Sequence, residues 1–149
     1  MKRVAICIGN ETRGDDAVGR RVAALLREAA PLGVEIIERD GEATALLDAI
    51  DGATQAVLID ACVSGAAAGA VRRIDVTREG LPLGEFAGSS HGLGLACAIE
   101  LARALGRLPP MCVVYAIEGA GFAHGAPLSP EAEAGAREAA RRALAEFGG

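Results

Sequence analysis

Short apolar runs alternate with amphipathic stretches along this chain, and their order predicts strands and helices in turn. Residues 4–8 (VAICI) form an apolar run closed by the turn signal Gly9-Asn10, and from Asp15 onward Val18, Val22, Leu25, Leu26 and Ala29 recur at helical spacing. A second strand is predicted over 34–38 and a short helix over 43–50. A third strand, 56–59, has the continuous hydrophobicity of a sheet buried on both faces, and Asp60 stands at its carboxyl end. Only nine residues separate Asp60 from the next strand-like run, 70–76, and they carry no helical pattern. A parallel crossover needs about a dozen residues, so this strand is expected to run antiparallel at an edge.

Leu93, Cys97, Leu101 and Leu105 mark a further helix, capped by Ser89 or Ser90, and Pro109-Pro110 separates it from a last strand over 112–117. Ser129-Pro130-Glu131 starts a terminal helix expected to run to Phe147, with Ser at the cap, Pro in the first turn and Glu at the positive end of the dipole. The expected fold class is α/β: a three-layer sandwich with a twisted, mostly parallel five-stranded sheet, one edge strand antiparallel, between helices. There is no internal repeat.

A length of 149 residues suits a single domain, 1–149, because a chain of this size buries roughly 70% of its unfolded surface around one core. Hydrophobic residues make up 51%, yet no run reaches the roughly 18 needed for a membrane span, and the apolar start is too short for a signal peptide. A soluble, cytoplasmic, monomeric protein with no membrane partner is expected. The net charge of -5 and the absence of Trp argue against a nucleic-acid partner, since neither a basic face nor stacking platforms are available. Cys7, Cys62, Cys97 and Cys112 lack CxxC spacing and read as buried reduced thiols. Cys62, two residues past Asp60, is the one with a place near chemistry, but no neighbouring His activates it as a nucleophile.

The segment from Gly9 to Gly14 has the GxxxxG spacing of a phosphate loop between a strand and a helix, but Asp15 and Asp16 stand where Lys and Ser or Thr should follow. Two carboxylates repel a polyphosphate, so the loop should attract a cation; alternatively the pair caps the helix that follows. One can cap while the other points into a crevice. Asp16, Asp60 and His91 all closely follow apolar runs, and ligands of open α/β sheets bind outside the carboxyl ends of strands. Read singly, Asp60 suits backbone hydrogen bonding and His91 the first turn of a helix, where imidazolium is disfavoured and the neutral ring is retained. Together, two oxygen ligands and one nitrogen ligand suit nickel, zinc, iron or manganese without choosing among them. Both Asp16 and His91 are expected near the surface of a cleft. Glu118, at the end of the last strand, either lines the same crevice or is salt-bridged, and His124 in a glycine-rich loop is expected to be exposed.

On these residues the chain resembles the maturation endopeptidases of nickel-iron hydrogenases. The resemblance runs through CIGNETRGDDAVG, DGEATALL, LIDA, SSHGLGL and LSPEAEAG, in order and over nearly the whole chain. Departures are Cys7 and Ala17 where Gly is common, and Glu42-Ala43 in a segment often richer in glycine. The resemblance implies that Asp16, Asp60 and His91 form the metal-recognition site and act in catalysis, the base among them unassigned. It implies removal of a C-terminal extension from the precursor of the hydrogenase large subunit once nickel has been inserted. Nickel would then be supplied by the substrate's active site, with no organic cofactor, and the substrate would complete a shell of three protein ligands. Specificity is expected in the loops 61–69, 84–90 and 119–127. The alternative is a non-catalytic nickel-sensing checkpoint that binds a metalloenzyme precursor. A nucleotide enzyme is disfavoured by the missing GxGxxG and the paired aspartates.

Overall fold

The computed structural model describes residues 1–10, 12–82, 85 and 92–148. Strand β1 (Lys2–Ile8) ends in the glycine turn, a single 3-10 turn (Gly14–Ala17) follows, and α1 (Val18–Ala29) leads to β2 (Glu35–Arg39). Helix α2 (Ala43–Ile50), β3 (Ala53–Cys62), β4 (Val71–Asp75), α3 (Gly92–Ala104), β5 (Met111–Glu118) and α4 (Pro130–Glu146) complete the chain. The strand order is β2-β1-β3-β5-β4. All neighbours are parallel except β4, which pairs antiparallel with β5 in the register Ile74↔Val114 and forms one edge of the sheet. The expected mixed five-stranded α/β architecture is therefore present.

Side chains alternate across the sheet and divide the core in two. Val4, Ile6, Ile8, Ala56 and Leu58 face α2 and α3, whereas Ala5, Cys7, Val57, Ile59 and Tyr115 face α1 and α4. Each fully buried aliphatic side chain contributes about 1.5–3 kcal/mol, which is why the central strands β1 and β3 carry almost uninterrupted apolar sequence.

Strand β3 is longer than the apolar run alone indicates. Strand β5 pairs along it from Gln55↔Met111 to Cys62↔Glu118, so Asp60 lies within the ladder, opposite Ala116. Backbone pairing carries the strand past a residue that hydrophobicity counts as a stop. Helix α3 also departs from expectation. Its buried face is Leu95, Ala98, Ile99 and Ala102, while Leu101 and Leu105 are exposed, and so is Cys97. This face joins the core shared with α2 and wins over the stripe of larger residues. Ser89 and Ser90, the expected caps, lie outside the described residues.

The terminal helix follows its sequence signals: the Ser129 hydroxyl accepts from the Ala132 N–H, and Pro130 is in the first turn. No helix among the described residues is long and apolar enough to cross a membrane.

Candidate active site at the switch point of the sheet

The chain leaves β1 for β2 on one side and returns to β3 on the other, so the strand order reverses between β1 and β3. Crevices at the carboxyl ends of strands form at such a point because the connections depart in opposite directions. Asp16 lies in the 3-10 turn that follows β1, and this turn packs against β3, which carries Asp60. Both aspartates are 0% exposed. The expectation that Asp16 lies near a cleft surface is thus corrected: the 3-10 turn folds its side chain inward.

Asp60 shares a sheet face with Leu58 and Cys62, the face covered by α2 and α3. Its Oδ1 accepts a hydrogen bond from the Ala61 N–H at 2.8 Å. Its Oδ2 is buried and has no hydrogen-bond donor among the described residues. Burial, with the negative charge of Asp16 adding to it, pushes the Asp60 carboxyl well above the usual carboxylate range, and the Ala61 N–H offsets this only in part. His91 lies outside the described residues, immediately before Gly92, the first residue of α3. Among the described residues no group of three His, Cys, Asp or Glu side chains is arranged to hold a metal.

The glycine turn is no phosphate cradle, for a second reason besides its charge. The N–H groups of Gly9, Asn10, Asp15 and Asp16 donate to the carbonyls of Arg39, Asp16, Gly121 and Arg13, respectively. The Thr12 N–H donates to Asn10 Oδ1. These amides are engaged within the protein and do not face an anion.

The expected capping of the following helix by this pair is not found. Neither the 3-10 turn nor α1 has a side-chain cap at its start. The Asp15 carboxylate instead accepts from the N–H groups of Ala120 and Ser129 and from the Ser129 hydroxyl, at 2.6, 2.7 and 2.7 Å. Burial opposes its ionisation, but these donors prevail and hold it below the usual carboxylate range.

Glu118 is buried at the end of β5, and its partners among the described residues are not cations. It accepts from the Ser64 N–H at 3.0 Å, the Ser64 hydroxyl at 2.5 Å and the Cys62 thiol at 3.6 Å. Burial raises its pKa, yet the Ser64 donors outweigh that and the net direction is downward. Cys62 is pushed up to about 12 by burial and by Glu118. A thiol held neutral in this way is not a nucleophile. His124 is exposed, as expected.

Nothing in the sequence pointed to Ser64 as a partner of Glu118, since the two are 54 positions apart. Asp15 had a partial signal, because Ser129-Pro130 announced a helix start that an acidic group could brace. Two cavities among the described residues lie away from these side chains. One of about 360 Å³ is bordered by Lys2, Arg3 and Glu35, and one of about 280 Å³ by Arg73, Tyr115 and Arg142.

The fold is that of the hydrogenase-maturing endopeptidases. The hydrogenase maturating endopeptidase HybD from E. coli superposes with a TM-score of 0.82 at 23% identity, covering 99% of this chain and 92% of that one. The [NiFe] hydrogenase maturation protease HybD from Thermococcus kodakarensis gives 0.76 at 24% identity, covering 98% and 99%. The endopeptidase HycI from Escherichia coli gives 0.74 at 18% identity, covering 100% and 92%. At these identities the likeness establishes the fold. A search of curated protein sequences gives no match.

The hydrogenase maturation protease family model matches residues 20–146. The chain belongs to that family, and its activity class is that of a peptidase.

Proposed function

We propose that this protein removes a C-terminal extension from the nickel-loaded precursor of a [NiFe] hydrogenase large subunit, as a late step of hydrogenase maturation. Asp16, Asp60 and His91 would recognise nickel carried in by the precursor, which is therefore part of the substrate. The observation that carries this reading is the pair Asp16 and Asp60, buried together at the switch point, with Asp60 Oδ2 accepting no hydrogen bond among the described residues. A buried Asp60 oxygen with no donor is unfavourable unless something positive arrives. Their oxygen chemistry, with an imidazole, suits a borderline divalent ion such as nickel. Asp60 points to the face on which α3 packs, and His91 directly precedes α3 in the chain.

With Cys62 held neutral, water is the reasonable nucleophile, and either carboxylate is of the right type to take its proton. Nickel on the substrate would make the site competent only when loaded, which ties cleavage to metal insertion. It would work as a monomer in the cytoplasm, a reducing compartment with which four free cysteines are compatible.

The experiment is intact mass spectrometry of the nickel-loaded and nickel-free precursor, each with and without this protein. Loss of a C-terminal fragment only from the loaded precursor is the expected result. Asp16→Asn and His91→Ala should abolish that loss while keeping a cooperative melt. Binding without any change of mass would refute cleavage and leave a nickel-sensing checkpoint.

A further inference from the structure

The loop that carries Asp16 and the segment that follows β5 are joined at several points. The Asp15 carboxylate gathers the N–H groups of Ala120, Gly121 and Ser129 and the Ser129 hydroxyl, while its own N–H donates to the Gly121 carbonyl at 2.8 Å. Further out, the Gly125 N–H donates to the Thr12 carbonyl at 2.6 Å. Gly14, at φ +56°, lies so close that a Cβ there would stand 2.6 Å from the Gly121 oxygen. Asp15 is 1% exposed, so these bonds do not compete with water. Much of the joined segment is exposed, including Ala120, Gly121, Ala123, His124 and Gly125.

We propose that Asp15 is a positioning residue: it locks residues 12–16 to residues 119–129, so that this partly exposed segment also sets the position of Asp16. This rests on the function proposed above, in which Asp16 recognises the metal. Whatever displaces residues 119–129 then moves Asp16 with them. Asp15 itself touches neither metal nor scissile bond.

Asp15→Asn tests this, because an amide must turn its NH2 toward a donor at one oxygen or the other. Gly14→Ala pries at the same contact while leaving the carboxylate intact. Two readouts are needed: kcat and KM for processing of the nickel-loaded precursor, and amide hydrogen exchange over 12–18 and 119–129 in the protein alone. Both variants should lower kcat about tenfold or more, as loss of catalytic geometry does, and exchange should rise in the two segments together. A rise in KM with unchanged kcat, or faster exchange in 119–129 without a change in 12–18, would overturn the proposal.

If Asp15→Asn loses its cooperative melt, Gly14→Ala and Ser129→Gly carry the same test, since Ser129→Gly removes the hydroxyl and keeps the backbone donor. Should the unmodified protein cleave nothing, the parent reading fails, while the coupled exchange still decides whether the two segments form one body.

Discussion

Gly19 lies in the first turns of α1, and its φ is not in the left-handed region, so its conformation does not call for glycine. Contact does. A Cβ at this position would stand 2.0 Å from the Ile8 carbonyl oxygen, 2.7 Å from its carbon and 2.8 Å from its nitrogen. Contacts under 3.0 Å essentially never occur, and every obstructing atom is backbone of a fully buried strand residue. For Gly19→Ala, α1 must therefore lift from β1 by roughly 1 Å, which loosens Val22 and Leu26 from the core they share with Ala5 and Cys7.

In an open helix the same change stabilises by about 1 kcal/mol. Forcing a methyl group into a packed contact costs about 1–3 kcal/mol, and rigid backbone places this case at the upper end. The expected net loss is about 2 kcal/mol, a fall in midpoint of roughly 4–8 °C for a chain of this size. Urea unfolding of the metal-free protein measures it, with the m-value unchanged. Gly80→Ala is the control, because nothing lies within 4 Å of a Cβ there, and it should stay within about 0.5 kcal/mol of the parent. If Gly19→Ala proved as stable as the parent, the close approach of α1 to β1 would not be what requires glycine. The 3-10 turn holding Asp16 leads directly into α1, so the same displacement should impair processing as well.

Asp60→Asn should shift the pH dependence of stability. The folded carboxyl titrates above its unfolded value, so the folded state holds the extra proton between the two; its contribution is favourable below the unfolded pKa and is lost as pH rises through the folded pKa. The stability of the metal-free parent relative to Asp60→Asn should therefore decline from pH 4 to pH 8, and a flat or rising difference in urea titrations would contradict this. Thiol accessibility gives a separate check: Cys97 is exposed, whereas Cys7, Cys62 and Cys112 are buried with pKa values pushed up to about 12. A native-state thiol titration should find one fast group, and Cys97→Ser should remove it.

Much of the fold was legible because local patterns coincide with what the core requires. The runs 4–8 and 112–117 are apolar without a break and became central strands, and the nine-residue connection after Asp60 allowed only an antiparallel edge strand. Ser129-Pro130 marked the start of the last helix to the residue. Helix α3 was misread in its facing because its alanine-rich sequence offers two apolar stripes, and periodicity does not say which one fits against a sheet. The end of β3 was misread because an aspartate breaks the pattern while its backbone remains paired.

For the site, local residue order settles which side chains are available: two adjacent aspartates after β1, one aspartate near the end of β3, one histidine before α3, and no lysine to make the glycine turn a phosphate loop. Those are properties of residue type and of position along a strand. Tertiary structure alone decided that β1 and β3 are neighbours, that Asp16 turns inward beside Asp60, and that Asp15 serves a segment more than 100 residues away. Strand order and side-chain satisfaction depend on how whole layers close on one another, and no local spacing encodes that closure.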